Sequence, residues 1–197
     1  MKQVDYRGIT REPWYTLDIT NVETLSMFTT MFRDWFQNQD ANYGYFMKSL
    51  IAGDLEAMNY YMNKVALATF SYFDVGSEHG SDPEPERFYH GFVLGLIAER
   101  SGIYMIRSNR ESGFGRYDIM MVPQEREKYP AIIIEFKVCS RMRKETLEEA
   151  VQSALDQITE KNYDAELLAQ GISADRIRHY GFAFEGKKVL IGQDEKA

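Results

Sequence analysis

Gly115-Arg116-Tyr117-Asp118-Ile119-Met120-Met121-Val122 is followed, after a polar loop, by Ala131-Ile132-Ile133-Ile134-Glu135-Phe136-Lys137-Val138. Both runs are apolar and rich in β-branched residues, the composition of buried neighbouring strands. Each also carries charge: Asp118 near the start of the first, Glu135 and Lys137 late in the second. Charged groups are costly in such places unless they are paired or bind a metal. A hairpin would set the two acids side by side. Period-two alternation puts Glu135 and Lys137 on one face and points Phe136 to the other.

Working outward, the spacing predicts a helix from about Glu86 to Ser101, ended by Gly102, and a strand over 103–108. A glycine-containing turn over 111–115 then leads into the first motif strand. After the second motif strand, Leu147, Ala150, Val151, Ala154, Leu155 and Ile158 mark one face of a helix over about 144–161. Two closing strands over 177–184 and 187–191 flank Glu185-Gly186. The order is helix, three strands, helix, two strands.

Residues 1–76 read as a helical N-terminal or connecting region. A short strand is expected at 14–19, lone and in need of a partner elsewhere. Helices are expected at 21–39 and 45–52, and a third begins after Asp54. Their Met and aromatic stripes read as packing surface. Residues 77–85, rich in Gly, Ser and Pro, read as a linker, and 86–197 as the domain that carries the motif.

Composition excludes several classes. The chain has 197 residues with 44% apolar and 27% charged, ordinary for a globular protein. No apolar run approaches the ~20 residues of a membrane span, and the N-terminus lacks a signal-peptide pattern. Cys139 is the single cysteine, so no disulfide framework exists and a reducing, cytoplasmic setting is expected. The net charge of −7 argues against a general polyanion binder. Even so, Arg107, Arg110 and Arg116 cluster before Asp118, and Arg141, Arg143 and Lys144 follow Lys137. Local basic patches beside an acidic site suit a phosphate backbone.

Two carboxylates and an ammonium at strand ends suggest a Mg²⁺ or Mn²⁺ site for phosphodiester hydrolysis. Asp118, Glu135 and the Phe136 carbonyl are the hard-oxygen ligands such an ion takes. Lys137 would position water or stabilise developing charge. The bland alternative is a Glu135–Lys137 ion pair within one strand, with Asp118 merely closing a turn.

The motifs Gly115-Arg116-Tyr117-Asp118, Ile134-Glu135-Phe136-Lys137 and Gln157-Ile158 resemble the PD-(D/E)XK nuclease superfamily. The stretches 86–91, 108–118 and Lys161-Asn162-Tyr163-Asp164 are similar to a bacterial branch in which the nuclease-like domain follows an AAA-ATPase-like domain. The resemblance implies an α/β (mixed α+β) fold: a restriction-endonuclease-like core with a central mixed sheet flanked by helices. It also implies metal ligation by Asp118 and Glu135, catalysis by Lys137, and a place for Gln157 lining the site. A tyrosine, Tyr117, stands where the superfamily has proline. A further acid is common on the first core helix, and Glu86 is the first choice here, with His90 and Glu99 as alternatives.

The resulting expectation is a Mg²⁺-dependent deoxyribonuclease, a hydrolase acting on DNA. The chain would be part of a longer AAA-ATPase-linked protein, with homo-oligomerisation open. The alternative is a catalytically inactive nuclease-fold module for nucleic-acid or protein binding. A purely structural helical protein would leave the motif strands unexplained.

Overall fold

The computed structural model describes residues 3–7, 12–16, 43–70, 84–98, 102–139 and 145–194. The chain divides into two compact units, Met1–Ala41 and Asn42–Ala197. In the first, β1 (Gln3–Arg7) pairs antiparallel with β2 (Glu12–Thr16), Asp5 opposite Trp14. The strand expected at 14–19 therefore lies slightly earlier. It also has a local partner and is not a lone strand, a correction the alternation of one segment could not supply. The helix expected at 21–39 lies outside the described residues, as do residues 71–76 and residues 77–83 of the linker expected at 77–85.

The second unit is built on one five-stranded sheet. Its strands are β3 (Tyr104–Ser112), β4 (Gly115–Pro123), β5 (Ala131–Val138), β6 (Ile177–Glu185) and β7 (Lys188–Gln193), in the order β3-β4-β5-β6-β7. Only β5 and β6 run parallel. That pair needs a crossover, which the segment carrying helix Leu147–Glu160 supplies. This is the mixed sheet with flanking helices of a restriction-endonuclease-like α/β fold.

Five helices accompany the sheet among the described residues: α1 (Tyr43–Ala52), α2 (Leu55–Thr69), α3 (Glu84–Ala98), α4 (Leu147–Glu160) and α5 (Ala165–Ala169). Asp54 caps α2 as its sequence position suggests, accepting from the Ala57 N–H at 3.0 Å. Thr146 and Glu149 form a reciprocal capping box at the start of α4, which sets its first residue later than apolar periodicity alone would. The short α5, which buries Leu167, has no counterpart in the periodicity reading.

The two faces of the sheet are packed differently. On one, Tyr89 of α3 stacks on Phe184 at 4.1 Å between ring centroids, and Phe136 meets Phe182 edge-on. On the other, Ala150, Val151, Leu155 and Ile158 of α4 join Met120, Ile133 and Ala183 in a buried cluster. The helix lies close to β6 because Gly181 has no side chain. A Cβ there would stand 2.7 Å from the Val151 carbonyl oxygen. Fixing α4 against β6 in this way sets where Gln157 lies relative to β5.

Helix α2 covers the outer edge of β7. Asn59 donates to the Ile191 carbonyl at 2.8 Å and accepts from the Ile191 N–H at 2.7 Å. One turn on, Asn63 makes the same pair of bonds to Val189, at 2.7 and 3.0 Å. The β7 backbone groups on that side are thereby satisfied by side chains, as a buried sheet edge requires.

Candidate active site

The β4–β5 ladder pairs Met121 with Ile132, Met120 with Ile133 and Ile119 with Ile134. Asp118 and Glu135 are the next positions along the two strands, and there the ladder stops. Asp118 Oδ2 instead accepts the Phe136 backbone N–H at 2.8 Å. The side chain thus replaces a strand-to-strand bond where β4 leaves β5. The N–H and C=O of one strand residue point to the same side. The Phe136 carbonyl therefore faces the opening beside Asp118.

The separation has a visible cause in both strands. Tyr117 and Met120 belong to the same buried cluster although they are three residues apart. Strict alternation would send them to opposite faces. Across the ladder, Arg107 and Arg110, also three apart, both act electrostatically on Tyr117. The alternation slips in both strands together, at Asn109 and Asp118. Asn109 occupies the left-handed region, with φ 52°. Asparagine is among the few side chains that tolerate this conformation.

His90 of α3 braces that slip. Its Nε2 lies 2.9 Å from Ser108 Oγ, and its Nδ1 lies 3.2 Å from the Asn109 amide nitrogen. An amide N–H donated to Nδ1 leaves the ring proton on Nε2, pointed at the serine. Its imidazole also packs against the Phe136 ring at 5.4 Å. Of the three candidates on the first core helix, His90 stands beside the acids. Glu86, one turn earlier, is exposed and makes no hydrogen bond or ion pair among the described residues. Glu99 lies outside the described residues, as do Arg141, Arg143 and Lys144.

Asp118 is half-buried, and Glu135 is only 3% exposed. Lys137 Nζ lies 3.4 Å from Glu135 Oε1 and donates to Gln157 Oε1 at 2.6 Å. Gln157 Nε2 donates to Glu135 Oε1 and, at 3.0 Å, to Tyr163 Oη. Tyr163 in turn donates to the Arg116 carbonyl at 2.6 Å. A single glutamine amide therefore joins β5 to the β4 backbone through a buried tyrosine. The sequence reading placed Gln157 here by resemblance and gave Tyr163 no role. Tyr163 stands within the Lys161–Asp164 motif, but periodicity carries no sign of where its hydroxyl goes.

The two acids are desolvated and act on each other. Burial, reinforced by Asp118, pushes the Glu135 carboxyl up to about 8, against the pull of Lys137. Burial also pushes Asp118 up, against the Phe136 N–H, His90 and Lys137. Like charges held together in low dielectric resist joint ionisation unless a positive charge joins them. Glu135 Oε2 is buried with no hydrogen-bond partner. An orphaned carboxylate oxygen of this kind calls for an explanation, and an ion is one of the standard ones.

No group of three or more His, Cys, Asp or Glu side chains is gathered around a metal position among the described residues. Two carboxylates and a main-chain carbonyl nevertheless fit Mg²⁺, which keeps several waters and completes its shell with substrate phosphate. The described helices include none long and apolar enough to cross a membrane. Comparison with known proteins gives one family: a sequence profile of the PD-(D/E)XK nuclease superfamily matches residues 84–194. No curated protein matches the chain.

Proposed function

Since the chain belongs to the PD-(D/E)XK nuclease superfamily, we propose that it is a metal-dependent nuclease that hydrolyses DNA phosphodiester bonds at the Asp118–Glu135–Lys137 site. The observation that carries this reading is the unpartnered, buried Oε2 of Glu135 beside a second desolvated acid. Asp118, Glu135 and the Phe136 carbonyl would hold Mg²⁺ or Mn²⁺. When bound, such an ion supplies Lewis acidity toward water and phosphate. Lys137 Nζ, held by Gln157, then directs its protons at charge developing on phosphate oxygens or orients the attacking water. Gln157 keeps the ammonium and Glu135 in register, and Tyr163 keeps Gln157 in place. His90 maintains the β3–β4 geometry that aims Asp118.

The test is incubation with supercoiled, linear and branched DNA in Mg²⁺ or Mn²⁺. Wild type should cleave, whereas Glu135→Ala and Lys137→Ala should not. Cleavage that survives both substitutions sinks the assignment.

A second reading has its own observation. The exposed position of Glu86 leaves the first core helix without an acid at the site among the described residues. On that reading the domain binds nucleic acid or protein without cutting. Wild type would then show neither cleavage nor calorimetric metal binding.

The setting we propose is a bacterial cytoplasm, with an AAA-ATPase-like domain preceding this one and self-association as a further arrangement. The resemblance of residues 86–91, 108–118 and 161–164 supports the ATPase-linked branch. The unpaired Cys139 supports a reducing compartment.

A further inference from the structure

Phe114, at the tip of the β3–β4 hairpin, is 80% exposed, more than any other exposed large apolar residue described. The turn beneath it is fastened from both sides. The Phe114 N–H donates to the Lys161 carbonyl at 2.7 Å, and Ser112 Oγ donates to the Tyr163 carbonyl at 2.8 Å. Gly113 has φ 57°, and a Cβ there would meet the Lys161 and Asn162 carbonyl oxygens at 2.2 Å. The hairpin is thus pinned into the α4–α5 turn by contacts that only glycine permits, and the ring is left facing water. Burying Phe114 elsewhere would require breaking those contacts.

The surroundings point to one kind of occupant. Arg110, Arg116 and Lys161 are exposed around the tip, against Glu111 opposite Arg116 and Glu160 at the end of α4. Gln157 also lines a cavity of about 470 Å³ along α4, whose charged lining is Glu149, Asp156, Glu160 and Lys161. With three acids against one lysine that cavity disfavours a polyanion, whereas three cations against two acids surround the tip. Phe114 lies four residues before Asp118 on the same chain, about 13 Å along an extended strand. This equals about four stacked nucleotides at ~3.4 Å each.

We propose that Phe114 is a stacking platform for an unpaired base of a nucleic-acid strand entering the acid–lysine site, with Arg110, Arg116 and Lys161 taking its phosphates. The inference rests on the nucleic-acid reading of that site. Aromatic–base stacking tolerates any sequence, so the contact sets position along the strand and not base identity.

The test is fluorescence anisotropy with a labelled single-stranded oligonucleotide and its matched duplex, in EDTA so that nothing is cut. Phe114→Ala should bind the single strand about tenfold to a hundredfold more weakly. Its circular dichroism and Tm should match wild type, because the removed ring is solvated. Phe114→Trp should bind as wild type, and its indole should be quenched beyond any response of Trp14 and Trp35. Phe114→Ala binding within twofold of wild type, or a loss confined to duplex, overturns the inference. So does an oligomer that becomes monomeric in Phe114→Ala with nucleic-acid affinity unchanged, which assigns the ring to a second copy. If wild type binds neither probe, this inference and the nucleic-acid reading fall together. Phe114-dependent binding without cleavage in Mg²⁺ removes the catalytic reading alone.

Discussion

Gln157 Oε1 accepts a hydrogen bond from Lys137 Nζ at 2.6 Å. The neutral amide holds the ammonium without neutralising it, leaving the positive charge available to a substrate phosphate. Gln157→Ala should lower kcat for DNA cleavage by roughly 10–100-fold, with a much smaller change in KM. Steady-state kinetics on a defined oligonucleotide checks this. An equal rise in KM with kcat intact would make Gln157 a binding residue.

Glu135→Gln should stabilise the metal-free protein, because a carboxyl forced up to about 8 costs stability at neutral pH, and the amide removes that cost while keeping an acceptor for Gln157. The gain should be on the order of 1–3 kcal/mol in urea unfolding. Wild type should gain thermal stability on addition of Mg²⁺, by mass action, and Glu135→Gln should not. Thermal scans with and without Mg²⁺ read both effects.

Asn109→Val should destabilise by about 1–2 kcal/mol, since a β-branched residue is strained at φ 52°. Asn109→Gly should keep the backbone path and lose only the side-chain contacts to His90 and Ser108. Comparing unfolding free energies with cleavage rates separates two effects. Activity should fall further in the valine variant than its unfolding explains, because the slip that aims Asp118 is lost.

His179 lies between Asp164 and Asp194, with each of its nitrogens 2.7 Å from a carboxylate oxygen. Burial pulls its pKa down, but the bonds to the two aspartates outweigh that and raise it to about 9. A raised folded-state value means this stabilisation is fully present below the ordinary value of 6.5. It is lost as pH rises from there through about 9. Urea unfolding at pH 6 and pH 9.5 should show a decline on the order of 1–3 kcal/mol. The decline should be smaller in His179→Gln, and what remains should come from Glu135, whose raised carboxyl also costs stability as pH rises towards about 8.

The motif strands were legible because their signal is local. The apolar run from Ala131 to Val138 matches β5 residue for residue, and the pattern around Asp118 placed β4 within one residue at each end. The acids could be paired on paper because a hairpin has few registers. The slip at Asn109 was not legible: a single left-handed residue leaves apolar spacing almost unchanged while turning every side chain beyond it. Tyr163 escaped for a different reason, since its importance lies in a carbonyl 47 residues away. Helix α5 spans five residues, too few for a 3.6-residue period to show.

The asparagines of α2 have a consequence for what counts as the domain. Asn59 and Asn63 present a donor and an acceptor each, spaced to match alternate residues of β7. Helix α2 therefore does for β7 what a sixth strand would do, without offering a further edge of its own. The segment matched by the family profile starts at residue 84, after this helix. A fragment cut at that boundary would bare two N–H and two C=O groups on an open strand beside an apolar surface, the arrangement that invites edge-to-edge aggregation. The unit that keeps this sheet edge covered is thereby longer than the segment by which its ancestry is recognised.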